Sequence, residues 1–374
     1  MRKLFAGLLF LAASQTVAAQ NGTFSLKADL KGLGDSLIVF VPNGSGYHRD
    51  TVLVKGNRFE YTTKLSKPVD IALYTPKTLR QEDNKGFNFI AVPGEKAELK
   101  GDVAVRYDVT GSKFYQQYHE MDVVMEAAMQ PMIDLNKELD AMVAKGTSED
   151  AVMKIYNSKM PALQAAFGKT LMEFIEKHPD YEASATLVPQ LGELDQMEKG
   201  AALLSAAVKN GRMKDYYEGY IQQARAQQEA DAASQKAQAA GVDAPDFTLN
   251  DINGKPLALK SLRGKYVVLD FWGSWCIWCI KGMPQMKEYY NKYQGKFEIL
   301  GVDCNDTEAK WKAAVEKNKL PWLHVYNPKS SSVLRDYAIQ GFPTKIIIGP
   351  DGKIVKTFVG EDPAFYQELD QLFK

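Results

Sequence analysis

Tyr266-Val267-Val268-Leu269-Asp270-Phe271-Trp272-Gly273-Ser274-Trp275-Cys276-Ile277-Trp278-Cys279 is the stretch that decides the fold. Its first half is a short apolar run, the pattern of a strand covered on both faces. Its second half sets two thiols two residues apart where that strand gives way to a helix-forming segment. Cysteines so spaced can close a small ring and open it again, which is redox chemistry rather than a structural staple. Cys276 falls at the first helical turn, where unpaired N–H groups and the positive end of the helix dipole favour a thiolate. Such placement lowers a thiol from its usual pKa of about 8.5. Cys276 is therefore expected to be exposed, partly ionised and nucleophilic, attacking a client disulfide to form a mixed disulfide. Cys279 lies one turn deeper and must lose its proton to release the client. Asp270, in mid-strand, is the candidate to accept it: burial would raise its pKa into the range of a useful base. The other reading is a strand-edge aspartate facing solvent. Its apolar neighbours, and a sheet covered on both faces, favour burial.

Outward from this stretch, residues 241–374 alternate strand and helix. Asp246–Leu249 and Pro256–Leu259 flank Ile252-Asn253-Gly254, a hairpin signal. Phe297–Asp303 reads as a buried strand, Thr307–Asn318 as an amphipathic helix, and Lys345–Ile348 and Lys353–Val359 as strands around Gly349-Pro350-Asp351-Gly352. Pro363–Phe373 closes the chain as a helix, with proline suited to its first turn. Buried strands alternating with helices predict an α/β sandwich. Trp275 and Trp278 beside the thiols offer an apolar docking surface for an extended peptide; the alternative is that tryptophans here merely cover the sheet. Phe342-Pro343-Thr344 precedes a strand, and only about one X-Pro bond in twenty is cis, so the residues alone leave this bond trans.

Phe271-Trp272-Gly273-Ser274-Trp275-Cys276 with Cys279, and Pro343-Thr344 downstream, resembles the thioredoxin superfamily. Ala244-Pro245-Asp246-Phe247-Thr248-Leu249 and Leu262-Arg263-Gly264-Lys265 narrow the resemblance to the TlpA/ResA-like exported thiol-disulfide oxidoreductases. The resemblance covers residues 241–374. It implies a thioredoxin-like fold, Cys276 as nucleophile, Cys279 as resolving thiol and Asp270 as the buried acid. It also implies a cis Pro343 opposite the disulfide, with Phe342 and Thr344 beside it on the client-binding surface. Protein disulfides are the implied substrates, apocytochrome c among them, and a membrane protein the implied electron donor. No bound cofactor is implied, because the cysteine pair carries the electrons. Three departures stand out: Ile277-Trp278 lies between the cysteines instead of a proline-containing pair, no histidine stabilises the thiolate, and Gly282 stands where relatives often carry glutamate.

The rest of the chain predicts a multi-domain protein. Residues 20–111 show short alternating strands with glycine, asparagine and proline between them, an all-β, sandwich-like domain. Residues 112–240 are rich in alanine, glutamine, methionine and leucine, a helical middle region broken at His178-Pro179 and Asn210-Gly211. Tyr115, Tyr118, Met121, Val124, Met125 and Met129 recur at helical spacing and read as core rather than as an adaptable binding stripe. Together these regions resemble the N-terminal extension found ahead of such modules in some exported proteins.

Arg2 and Lys3, the apolar run Leu4–Ala13 and the small residues Val17-Ala18-Ala19 form an export signal at 1–19, cleaved after Ala19. The predicted location is periplasmic. The 46 basic and 46 acidic residues balance, which argues against nucleic acid or an anionic membrane as partner. All three cysteines lie beyond residue 275, so the earlier regions hold together without disulfides. Cys304 reads as a small buried thiol. A peroxidase would need threonine and proline where Gly273 and Leu269 stand. A zinc site from the three cysteines and His324 lacks the usual paired knuckles. The non-enzymatic alternative is an envelope binding or scaffolding protein.

Overall fold

The computed structural model describes residues 22–44, 46–83 and 85–374; the predicted export signal lies outside the described residues. The chain divides into two compact units, one running to Arg225 and the other Ala226–Lys374.

The first unit opens with eight strands and a short helix: β1 (Gly22–Lys31), β2 (Ser36–Asn43), β3 (Gly46–Leu53), β4 (Arg58–Leu65), β5 (Val69–Tyr74), α1 (Pro76–Leu79), β6 (Gly86–Ala91), β7 (Lys96–Asp102) and β8 (Arg106–Gly111). They form two four-stranded sheets, ordered β4-β1-β7-β8 and β3-β2-β5-β6. Alternation puts Phe24, Leu26, Ala28 and Leu30 of β1 inside and lysine and aspartate outside. β8, an edge strand of which only Val109 is fully buried, is not among the strands the residue pattern predicts.

The helices follow as α2 (Lys113–Ala144), α3 (Glu149–Lys177), a 3-10 segment (Glu182–Leu191), α4 (Leu194–Leu203), α5 (Ala206–Lys209) and α6 (Lys214–Ala237). They share one core with the strands: Phe24, Phe89, Phe114, Tyr115, Met121, Leu171 and Leu187 belong to a single buried cluster. The Tyr115 hydroxyl donates to the Ile90 carbonyl at 2.7 Å inside it. Of the predicted stripe, Tyr115, Met121 and Met125 are buried and Tyr118 packs against the core, while Val124 and Met129 are exposed. Val124 points away from the packed face, and Met129, on that face, lies one turn past Met125, the last α2 residue in this buried cluster.

Arg212, ahead of α6, bonds Glu95 at 2.5 Å, Glu182 at 2.6 Å and the Pro93 carbonyl at 3.0 Å. This guanidinium fork joins the β-sheet layer to the 3-10 segment, and removing it leaves the buried Glu95 and the partly covered Glu182 without their cation. Arg212→Met is expected to lower the unfolding free energy by about 2–3 kcal/mol, read by urea denaturation followed by circular dichroism.

The second unit carries β9 (Thr248–Asp251), β10 (Pro256–Ala258), β11 (Tyr266–Trp272), α7 (Ile277–Lys292), β12 (Phe297–Asp303), α8 (Glu308–Asn318), β13 (Leu323–Tyr326), α9 (Val333–Asp336), β14 (Thr344–Ile348), β15 (Ile354–Val359) and α10 (Pro363–Phe373). Its seven-stranded sheet is ordered β10-β9-β13-β12-β11-β14-β15. β11 pairs parallel with β12 and antiparallel with β14. Each face of the sheet has its own core. Val268 and Trp272 pack with Met283 of α7, Trp311 of α8 and Phe365 of α10. Val267, Leu269 and Phe271 pack with Leu262, Val333 and Tyr337. This is the thioredoxin-like α/β fold, with a β-rich region and helices ahead of it. No helix among the described residues is long and apolar enough to cross a membrane.

Candidate active site

β11 is an interior strand of the sheet, between β12 and β14, and delivers the chain to the first turn of α7. Cys276 is the N-cap of α7, and its Sγ accepts the Cys279 N–H at 3.1 Å. The two sulfurs are bonded at 2.01 Å, with Cα atoms 5.3 Å apart. One feature departs from the sequence reading. Cys276 is buried in this bonded form, only 6% exposed, where exposure was expected. It belongs to the buried cluster that includes Trp272, Cys279 and Met283. What stands exposed is the apolar rim of Trp275, Ile277 and Trp278.

Two contacts hold the loop before the cysteines. Asp306, beyond β12, accepts the Ser274 N–H at 2.6 Å and the Ser274 hydroxyl at 2.8 Å. The Trp275 indole donates to the Cys304 carbonyl at 2.9 Å, and its ring meets Phe342 edge-on at 5.3 Å. The Phe342–Pro343 bond is cis. Trp278 is free of the sheet, with the Lys281 ammonium 4.5 Å over its ring. Thr344, expected on the client surface, is buried instead, and its hydroxyl donates to the Gly341 carbonyl at 2.8 Å. As the first residue of β14, it has its side chain drawn into the strand's packing.

Strand alternation places Asp270 on the same face as Val268 and Trp272, the face covered by α7. It is 3% exposed, and its Oδ1 has no hydrogen-bond partner among the described residues. Burial pushes its pKa up to about 6, with Lys345 pulling it down and Glu361 pushing it further up. Lys345 faces Asp270 across the β11–β14 ladder and is itself buried. Its ammonium pairs with Glu361, from the loop after β15, at 2.6 Å. The sequence reading singled out neither residue, although a lysine opening the apolar run Lys345-Ile346-Ile347-Ile348 was a visible signal.

Cys304 belongs to the core of the opposite face, with Leu269 and Phe271. Its thiol donates to the Val302 carbonyl at 3.3 Å, and burial together with Asp303 pushes its pKa up. Burial also pushes Asp303 up to about 8, with Asp306 adding to the effect. His324 is buried near Trp272 and Trp322, and desolvation pushes it down to about 4. Among the described residues no three histidine, cysteine or carboxylate side chains are grouped to hold a metal.

Residues 240–357 match the model of the AhpC/TSA family. The chain is 40% identical over 122 residues to the thiol-disulfide oxidoreductase ResA of Bacillus cereus, covering 32% of this chain and 70% of that protein. It is 36% identical over 124 residues to ResA of Bacillus subtilis, covering 32% of this chain and 67% of that one. Among solved structures, the thioredoxin domain of a thiol-disulfide oxidoreductase from Bacteroides vulgatus is similar at 35% identity and a TM-score of 0.35, over 36% of this chain and 99% of that one.

A carboxyl raised by burial makes folding pH-dependent. Between about pH 4, where Asp270 ionises in the unfolded chain, and about 6, where it ionises in the fold, the native state holds the extra proton. Stability is therefore lost as pH rises through that window. Asp270→Asn is expected to stabilise the protein by about 2–3 kcal/mol at pH 7 and by little below pH ~4, read by denaturant titration at both pH values.

Proposed function

We propose that this chain, which belongs to the family of the ResA thiol-disulfide oxidoreductases, exchanges disulfides with exported protein clients through Cys276 and Cys279. The observation that carries the reading is the pairing of the two sulfurs at the N-cap of α7, on the face of the sheet where Asp270 is buried. In the reduced enzyme, Cys276 meets unpaired N–H groups and the positive end of the helix dipole, which favour its thiolate. The thiolate attacks a client disulfide; one client sulfur leaves as a thiolate and the other becomes bonded to Cys276. Cys279 then gives its proton to Asp270 and attacks Cys276, so the second client sulfur leaves and the internal disulfide re-forms. Two electrons pass from enzyme to client. Trp275, Trp278 and Phe342 form the rim that receives the client chain, and Pro343 borders it.

The direction is reduction or isomerisation, because no histidine lies between the cysteines to favour a strong oxidant. Exported clients, apocytochrome c among them, a membrane donor that returns the electrons and a periplasmic location complete the proposal. In it, the β-sandwich-like domain at 20–111 and the helical region at 112–240 precede a redox domain at 241–374.

The full chain with a thiol donor is expected to reduce the disulfides of insulin. Cys276→Ser should abolish this, and Cys279→Ser should accumulate a client bonded to Cys276, seen by mass spectrometry. An inactive wild-type chain sinks the reading. Equilibration with glutathione is expected to place the potential nearer the ~−270 mV of thioredoxin than the ~−120 mV of DsbA.

A further inference from the structure

Asp270 shares the face of the sheet covered by α7 with the disulfide and with a second charged group. Lys345 stands opposite it in register on β14, and both point to the face covered by α7, as Ile347 two residues on confirms. The Lys345 ammonium is almost fully buried and reaches Glu361 at 2.6 Å. Glu361 in turn lies against α7 one turn beyond Cys279: a Cβ built at Gly282 collides with its carboxylate. Gly282 is buried, on the same inward side of α7 as Cys279 and Met283. The absence of a side chain at 282 is thus the space into which a carboxylate from a distant loop is inserted.

We propose that Glu361 is a positioning residue for the proton transfer from Cys279: by holding the Lys345 ammonium it keeps that charge from pairing fully with Asp270, so Asp270 stays free to take the proton. The inference deepens the disulfide-exchange reading and rests on it. The physics is a competition of two carboxylates for one buried cation. With Glu361 in place, the ammonium bonds Glu361 and acts on Asp270 only as a charge through space, so an ionised Asp270 is neither fully neutralised nor easily tolerated. Without Glu361, Lys345 belongs to Asp270, whose carboxylate becomes stable and a poor base. The electrostatic influences on Asp270 run in those directions, Lys345 favouring the ionised form and Glu361 opposing it.

Other titratable groups face the same pocket. Tyr366 of α10, its hydroxyl 3.5 Å from the Gly282 carbonyl, is pushed up by burial and by Glu361 and Asp270. His324 of β13, in register with Gly301, which itself pairs with Asp270, is pushed down to about 4 by burial. Neither carries a charge at neutral pH, so the working charges are those of Asp270, Lys345 and Glu361. In the client-release step, the Cys279 proton moves to Asp270, the Cys279 sulfur bonds Cys276, and the client sulfur leaves with the electron pair of the broken bond. Glu361 exchanges no atoms; it sets how readily Asp270 accepts.

The test uses the full chain, with a peptide disulfide as client, and reads the single-turnover release rate from pH 4.5 to 9 beside carbon NMR titration of the Asp270 carboxyl in the reduced protein. Glu361→Gln is expected to move the Asp270 midpoint down by about 1 pH unit and slow release about tenfold at pH 7. Lys345→Met is expected to move the midpoint up. Gly282→Ala should mimic Glu361→Gln in the wild-type background, by expelling the carboxylate, and add nothing to it in the Glu361→Gln background. A purely structural role would shift stability without opposite movements of one midpoint. Midpoints that stay put, or move the same way in both charge variants while the wild type still exchanges disulfides, overturn the inference. If the wild-type chain exchanges none, the disulfide-exchange reading falls, and this inference with it.

Discussion

β11 has to be buried on both faces and still carry a carboxyl group. Every residue from Val267 to Trp272 is buried, and Asp270 sits among them with an oxygen that no described residue satisfies. Desolvation of that group is the constraint to which the rest of the site answers. Burial favours the neutral acid and pushes its pKa up to about 6. The neighbouring strand supplies a cation, and the loop after β15 supplies a second carboxylate to occupy it. A buried ion pair of this kind adds little net stability in itself. Its place beside Asp270 gives it a role that stability alone does not explain.

The rim around the cysteines follows a different logic. Trp275 is tied by its indole N–H to the Cys304 carbonyl and by its ring to Phe342, so half of it is committed and half is exposed. Asp306 fixes Ser274 through two hydrogen bonds and thereby the loop that presents Cys276. The apolar surface at the disulfide is thus rigid on the Trp275 side and open at Ile277 and Trp278. The first unit, with strands and helices sharing one buried cluster, has no cysteine and depends on burial and on the Arg212 fork.

Much of the site was legible before any coordinates. The strand to Trp272, the helix after Cys276, the hairpin around Asn253-Gly254 and the buried Asp270 follow from residue patterns within short windows. β8 was missed because an edge strand rich in polar residues carries almost no alternation, and β13 because four residues between loops carry too little periodicity. Thr344 was expected on the surface because it lies two residues from Phe342, which meets Trp275, while its own side chain is buried in the strand. Cys276 was expected exposed from its place at a helix start; in the structure it packs into the cluster of Trp272, Cys279 and Met283, which no local pattern announces.

Taken alone, the sequence determined what depends on neighbours along the chain. Thiols three positions apart on a helix share one side of it whatever else the protein does, and an apolar run of strand length must be covered. Only the tertiary structure decided what depends on register. Asp270, Gly282, Lys345 and Glu361 lie on two strands, a helix and a loop, and nothing local brings them together. Pairing of β11 with β14 sets Lys345 against Asp270, and the exit from β15 carries Glu361 to α7. A slip of one residue in that pairing would turn Lys345 to the other face of the sheet, because side chains alternate at every step along a strand.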